Sequence, residues 1–282
     1  MSYRSPKVLC IERLRWDDNH EDILADLLFE EQPSSTVCFA IDSGCDRSCI
    51  TLRTVVNFGL EGKIDRTRRA KFRAFGLLDE TVGMLKAKLK CQDQNSPVLV
   101  EEIEVVKRGH DLLGLDVLKK FSCTVKMHTK SPSLIIRRQE VGPSDNSLIS
   151  KNIRIDSHFV KGLVDTGACC SFIPEAIVKS LELQATKLVK PIKVITANKT
   201  IVQFQKWVEN VPIVIDGFHT KGNLIVHPNM KEVMIGTECL KDCRLDFICN
   251  TMYATPMNEC KTMSDVLAKL IAVNISVLSN IK

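Results

Sequence analysis

From Pro191 to Pro228 the chain sets short β-branched runs between Asn, Gly and Pro: PIKVITANKTIVQFQKWVENVPIVIDGFHTKGNLIVHP. Breaks at intervals of about eight to twelve residues predict an all-β domain. An earlier stretch repeats the rhythm less regularly. AKFRAFGLLDETVGMLKAKLKC, 70–91, reads as a hairpin and VLVEEIEVV, 98–106, as a further strand. Two segments depart from it. HEDILADLLFEEQ, 20–32, has an amphipathic pattern with acidic residues and predicts a leading helix. MSDVLAKLIAVNISVL, 263–278, predicts another, with Ser264 as a candidate cap. Turn and linker residues in QEVGPSDNS, 139–147, place a boundary near 143. The expected units are therefore 1–142, 143–255 and a helical tail at 256–282.

An internal repeat supports that division. FAIDSGCDRSCI, 39–50, aligns with LVDTGACCSFI, 163–173, so that Asp42 matches Asp165, Ser43 matches Thr166, Gly44 matches Gly167 and Ser48 matches Ser171. LLGLDVLKKFSCTV, 112–125, aligns with MIGTECLKDCRLDF, 234–247, pairing Gly114 with Gly236 and Leu118 with Leu240. The aspartates are 123 positions apart and the glycines 122. One Asp-Ser/Thr-Gly run is a plain turn signal. Two of them, each followed at equal distance by two apolar residues and a glycine, mark a duplicated unit.

Composition narrows the class. An apolar fraction of 44% and a charged fraction of 26% over 282 residues fit a globular chain with an ample core. The net charge of +5 is spread along the chain. Arg66, Arg68, Arg69, Lys71 and Arg73 form a local basic group without aromatic interleaving, which reads as a solvated face, and no nucleic-acid partner is expected. No apolar run approaches the roughly 18 residues that span a bilayer, so no membrane partner is expected either. The amino-terminal MSYRSPKVLCIERLRWDDNH lacks an apolar signal core. The twelve cysteines are accordingly read as reduced thiols of an intracellular protein, cytoplasmic rather than nuclear and not secreted. Cys45 with Cys49, Cys239 with Cys243, and Cys169 with Cys170 do not make zinc-site spacings, and no metal or cofactor is expected.

Other chemistries lack their residues. His20, His110, His128, His158, His219 and His227 show no H-E-x-x-H spacing. Neither a nucleophile-elbow G-x-S-x-G nor a phosphate-binding loop is present, and His110 beside Asp111 reads as a turn pair. Trp207 is expected to pack on the barrel. Two carboxylates about 3 Å apart, by contrast, cannot both ionise cheaply, so one becomes a base and the other an acid. A water between them could attack a peptide carbonyl without metal, cofactor or nucleophilic side chain.

These residues resemble the retropepsins, the aspartic proteases of retroviruses and Ty3/Gypsy-type retrotransposons. LVDTGACCSFI, the ITAN run, ENVPIVIDG and MIGTECL carry the likeness in the second copy, and IDSG with LLGLDVL in the first, over roughly 35–128 and 152–250. The resemblance implies a mainly β fold of two tandem acid-protease β-barrel domains, related by a pseudo-two-fold axis in a pepsin-like arrangement with a few short helices. It implies Asp42 and Asp165 as the catalytic pair, Ser43 and Thr166 as cross-bonded hydroxyls, Gly44 and Gly167 as loop glycines, and Gly114 and Gly236 in the psi-shaped loops. The flap is expected at Asn198-Lys199, where the family commonly has glycine, and at Gly76 in the first copy. The expected activity is that of an endopeptidase on polypeptide substrate, acting as a monomeric pseudo-dimer, with a homodimer as the alternative assembly. The alternative function is an inactive scaffold that binds a peptide or partner protein. Arg47 could lower the proton affinity of the pair or point to solvent.

Overall fold

A computed structural model describes residues 8–16, 22–74, 77–93, 96–137, 148–196, 200–248 and 251–257. The fold is mainly β, with short helices at Leu52–Asn57, Leu115–Lys120, Glu175–Ser180 and Thr237–Leu240. The expected tail helix, the boundary at 143, and the flap positions Gly76, Asn198 and Lys199 lie outside the described residues.

The expected leading helix over 20–32 is instead a hairpin, Ile23–Phe29 against Gln32–Ile41. Burial explains the difference. Ile23, Ala25, Leu27 and Phe29 are buried while Leu24, Asp26 and Leu28 are half-buried, which is the two-residue period of a strand. Acidic residues at the ends of an apolar run imitated a helical stripe. The strands expected within 70–91 and at 98–106 are present: Lys71–Ala74 pairs with Leu77–Glu80, and Gly83–Lys90 pairs with Val98–Val106.

The two copies fold alike. In the first, Gln32–Ile41 lies parallel to Leu112–Leu113, which is antiparallel to Cys49–Thr51, which is parallel to Val98–Val106. In the second, His158–Val164 lies parallel to Val233–Ile235, then antiparallel to Ser171–Pro174, then parallel to Phe218–His227. Each sheet closes on itself, through Ile23–Phe29 on Gly83–Lys90 in one half and Ser150–Ile155 on Ile201–Ile215 in the other. Closure leaves fewer exposed edges of the kind that invite aggregation, Ala185–Ile195 remaining as one.

A shared sheet joins the halves. Its order runs Thr251–Pro256, Cys243–Ile248, Thr124–Lys126, Ser133–Arg137, Val8–Trp16, so two strands of the second half pair with three of the first. One apolar core, from Ile23 and Phe39 to Ile235 and Phe247, runs through both halves beneath it. At the joint, Thr124 donates a hydrogen bond to Asp246 and Arg137 donates to Thr124, while Arg244 Nε lies 2.8 Å from Asp246 Oδ2. Asp246 is fully buried and both arginines nearly so, so the Arg244–Asp246 ion pair of the second copy is desolvated and is tied to the first copy through the Thr124 hydroxyl.

Candidate active site

The two aspartates leave their sheets at matching points. Asp42 N–H donates to Leu113 O at 3.0 Å and Asp165 N–H donates to Ile235 O at 2.9 Å, each continuing the parallel pairing one residue past the strand. Each carboxylate then folds over its own turn, with Gly44 N–H donating to Asp42 Oδ1 at 2.8 Å and Gly167 N–H donating to Asp165 Oδ1 at 2.9 Å. A backbone donor aimed at the carboxylate favours its charged form and fixes its orientation.

The hydroxyls between them bond reciprocally across the halves. Ser43 Oγ donates to Val164 O at 2.7 Å and accepts from Thr166 N–H at 3.1 Å. Thr166 Oγ1 donates to Ile41 O at 2.6 Å and accepts from Ser43 N–H at 2.9 Å. Both side chains are buried, so four polar groups that water cannot reach are satisfied only by the opposite half.

Glycine is required beside each aspartate by contact with the other. A Cβ on Gly44 would lie 2.4 Å from Asp165 Cγ, and one on Gly167 would lie 2.4 Å from Asp42 Cγ. The two carboxyl groups therefore face one another across the axis between the halves. Burial raises both above the usual carboxylate range, and the neighbouring charge of Asp165 pushes Asp42 further. Their titration belongs to the pair, which holds one proton where isolated aspartates would hold none.

A second layer repeats with equal fidelity. Gly114 N–H donates to Ser48 Oγ at 3.0 Å, and Gly236 N–H donates to Ser171 Oγ at 2.9 Å. Leu115 N–H reaches Cys45 O at 2.9 Å, and Thr237 N–H reaches Ala168 O at 2.8 Å. A Cβ on Gly236 would sit 2.6 Å from Ala168 O, which is why the loop takes glycine there. Two acids that the sequence reading did not single out complete the layer. Asp116 Oδ1 accepts from Ser48 N–H at 3.0 Å, and Glu238 Oε1 accepts from Ser171 N–H at 2.7 Å. Burial raises both carboxyl groups. Their signal was in the aligned blocks, where GLD and GTE each put an acid two residues after the glycine.

Outside this centre the halves differ. Arg47 points toward solvent and pairs with Glu104 at 3.2 Å rather than with the aspartates. Asp111 accepts from Thr51 N–H at 2.6 Å and from Thr54 Oγ1 at 2.7 Å, so it supports the start of a short helix. Trp207, half-buried on its strand, borders a cavity of about 490 Å³ together with Cys169, Cys170, Ile192 and Glu238, and its Nε1–H donates to Glu209 at 2.9 Å. Ile192 and Trp207 belong to a long hairpin, Ala185–Ile195 with Ile201–Ile215. A small cluster of Phe172, Val194, Phe204 and Ile225 roots it, with the Phe172 and Phe204 rings 5.4 Å apart at their centroids. Thr196 N–H donates to Thr200 O at 2.9 Å where its two strands approach their turn.

Comparison with known proteins agrees with this geometry. Residues 134–261 match the family model described as retroviral aspartyl protease. The fold matches the crystal structure of an aspartic proteinase from Irpex lacteus with a TM-score of 0.51 and 12% identity, covering 87% of this chain and 96% of that one. No curated protein sequence matches. The family match over the second half and the fold match along both halves together support a retropepsin-like aspartic protease.

Proposed function

We propose that the chain is an aspartic-type endopeptidase in which Asp42 and Asp165, one from each half, activate a single water. The observation that carries this reading is the cross-bonded Ser43–Thr166 lattice, which holds the two carboxyl groups face to face within one chain. With one proton on the pair, the charged carboxylate takes a proton from the water as the oxygen attacks the scissile carbonyl. The protonated carboxyl donates to that carbonyl oxygen as negative charge builds on it. The carboxyl that took the water's proton then gives it to the leaving amine, the other carboxylate takes back a hydroxyl proton from the tetrahedral intermediate, the C–N bond breaks, and the dyad again holds one proton.

Rate should be bell-shaped in pH. Fully protonated carboxyls supply no base and doubly charged ones supply no acid, so activity falls on both sides of the singly protonated state. The substrate is an extended polypeptide, held under the long hairpin with one side chain toward the cavity beside Trp207. The test is cleavage of an unfolded protein by the purified chain, with a statine-type transition-state mimic as inhibitor. Asp42→Asn and Asp165→Asn are each expected to abolish turnover while the fold persists. Equal cleavage by wild type and the double variant would overturn the assignment. Tight inhibitor binding with no cleavage under any pH would replace it by the non-cleaving scaffold.

A further inference from the structure

The tripeptide Ala168-Cys169-Cys170 connects the Asp165 turn to its supporting loop. Thr237 N–H and Oγ1 both donate to Ala168 O, at 2.8 and 3.3 Å. A Cβ on Gly236 would lie 2.6 Å from Cys170 O, so the Cys170 carbonyl packs against a backbone with no room to yield. The side chains of the same two cysteines border the cavity beneath the long hairpin, and their sulfurs are 3.9 Å apart. At the matching positions the first half has Asp46 and Arg47, so the adjacent thiols are a property of one half alone.

Accessibility separates this pair from the other described cysteines. Cys169 is exposed and Cys170 half-buried, whereas Cys91, Cys123, Cys239 and Cys243 are buried. Burial also raises the half-buried thiols elsewhere, Cys38 to about 11 and Cys49 to about 12, which keeps them in the unreactive form. Oxidation follows exposure and thiolate character.

We propose that Cys169 and Cys170 form a reversible oxidation site for hydrogen peroxide, and that closing it into a disulfide between adjacent residues displaces the Asp165 turn. One cysteine thiolate attacks the peroxide oxygen, breaking the O–O bond, and with proton transfer gives a sulfenic acid and one water. The neighbouring thiolate attacks that sulfur, forms the S–S bond and releases the second water, so two thiols lose two electrons to one peroxide. The sulfurs must close from 3.9 Å to about 2.04 Å. Adjacent Cα atoms are only about 3.8 Å apart, below the usual disulfide range, so the bond is strained and readily reduced. The peptide between the cysteines must twist, and the carbonyls that face Gly236 and Thr237 move with it. Its consequence for turnover rests on the proteolytic reading above; the covalent step does not.

The experiment treats the reduced, full-length protein with hydrogen peroxide and maps thiols by alkylation and peptide mass. A Trp16→Phe background leaves Trp207 as the sole indole, at the edge of the same cavity. The expected result is loss of two hydrogens from the Cys169-Cys170 peptide, a shift in Trp207 emission, and a fall in kcat on the order of tenfold to a hundredfold with KM changed less, all restored by dithiothreitol. Cys169→Ser and Cys170→Ser should each bring the ratio of oxidised to reduced rate to one, whatever their reduced rate. Two alkylatable thiols at these positions after treatment would overturn the site, and a formed disulfide with unchanged kcat would overturn its control of turnover. If the reduced protein cleaves nothing, the proteolytic reading fails alone, and mass and fluorescence still decide the site.

Discussion

The two halves repeat the same backbone-anchoring hydrogen bonds around the carboxylates and diverge with distance from them. Ser43 and Thr166 exchange equivalent bonds, Gly114 and Gly236 hold equivalent serines, and Asp116 and Glu238 brace equivalent backbone amides. The hairpins do not match. The second half has strands of 11 and 15 residues rooted by Phe172 and Phe204, whereas the corresponding first-half segment offers two strands of 4 residues. The joint is also unequal: Asp246 of the second half meets Thr124 of the first, although the two occupy equivalent positions of the repeat. Groups that must share a proton or a buried hydrogen bond across an axis constrain each other, and groups that meet substrate or solvent do not.

The strongest way to break this comparison is to remove one carboxylate at a time. Asp42→Asn and Asp165→Asn should each lower kcat by about a thousandfold or more; residual turnover in one but not the other would show that the halves are not equivalent in chemistry. Both variants should also gain stability at neutral pH. A carboxyl whose folded pKa is raised contributes stability below its unfolded value, near 4, and loses it as pH rises through the folded value. Thermal melts of wild type and variants should therefore separate progressively above about pH 4.

The joint is the next test. Asp246→Asn removes the carboxylate that pairs with Arg244 and accepts from Thr124, and should cost about 3–5 kcal/mol in denaturant unfolding. A cost under 1 kcal/mol would mean that water reaches the contact. Third come the hydroxyls. Ser43→Ala and Thr166→Val each strand one buried donor and one buried acceptor, at about 2–4 kcal/mol. The two costs should agree within about 1 kcal/mol, because the lattice is reciprocal. The smallest effect is expected from Asp116→Asn and Glu238→Gln, whose amide oxygens can still accept from Ser48 and Ser171. Stability should change by about 1 kcal/mol at most, shifting toward the variants as pH rises through the raised carboxyl pKa values.

What the sequence revealed follows the same gradient. Local motifs at fixed spacing exposed Asp42, Asp165, their hydroxyl and glycine neighbours, and Gly114 with Gly236, because steric exclusion and hydrogen-bond demand restrict those positions to one or two residue types. The reading failed at 20–32, where Leu24 and Leu28 filled the half-buried face of a strand and hid its period. Nor did it show that Cys243–Ile248 would add to strands of the first half, since pairing between residues 122 apart leaves no local periodicity. Trp207 was read as packing on the barrel, and its place at a cavity was not legible. Cys169 and Cys170, which border the same cavity, lie 37 or more residues away in sequence.

The shared hydroxyl lattice also sets a clock. Ser43 has its backbone and side-chain partners 121 to 123 residues later in the same chain. At a ribosomal rate of about 5–20 residues per second, the first half waits on the order of ten seconds before those partners exist. During that interval Asp42 lacks the facing carboxylate that the proposed reaction requires, and Thr166 brings the partners of Ser43 from within the same chain. Dilution should therefore leave specific activity unchanged, and proteolytic activity should appear only with the completed chain.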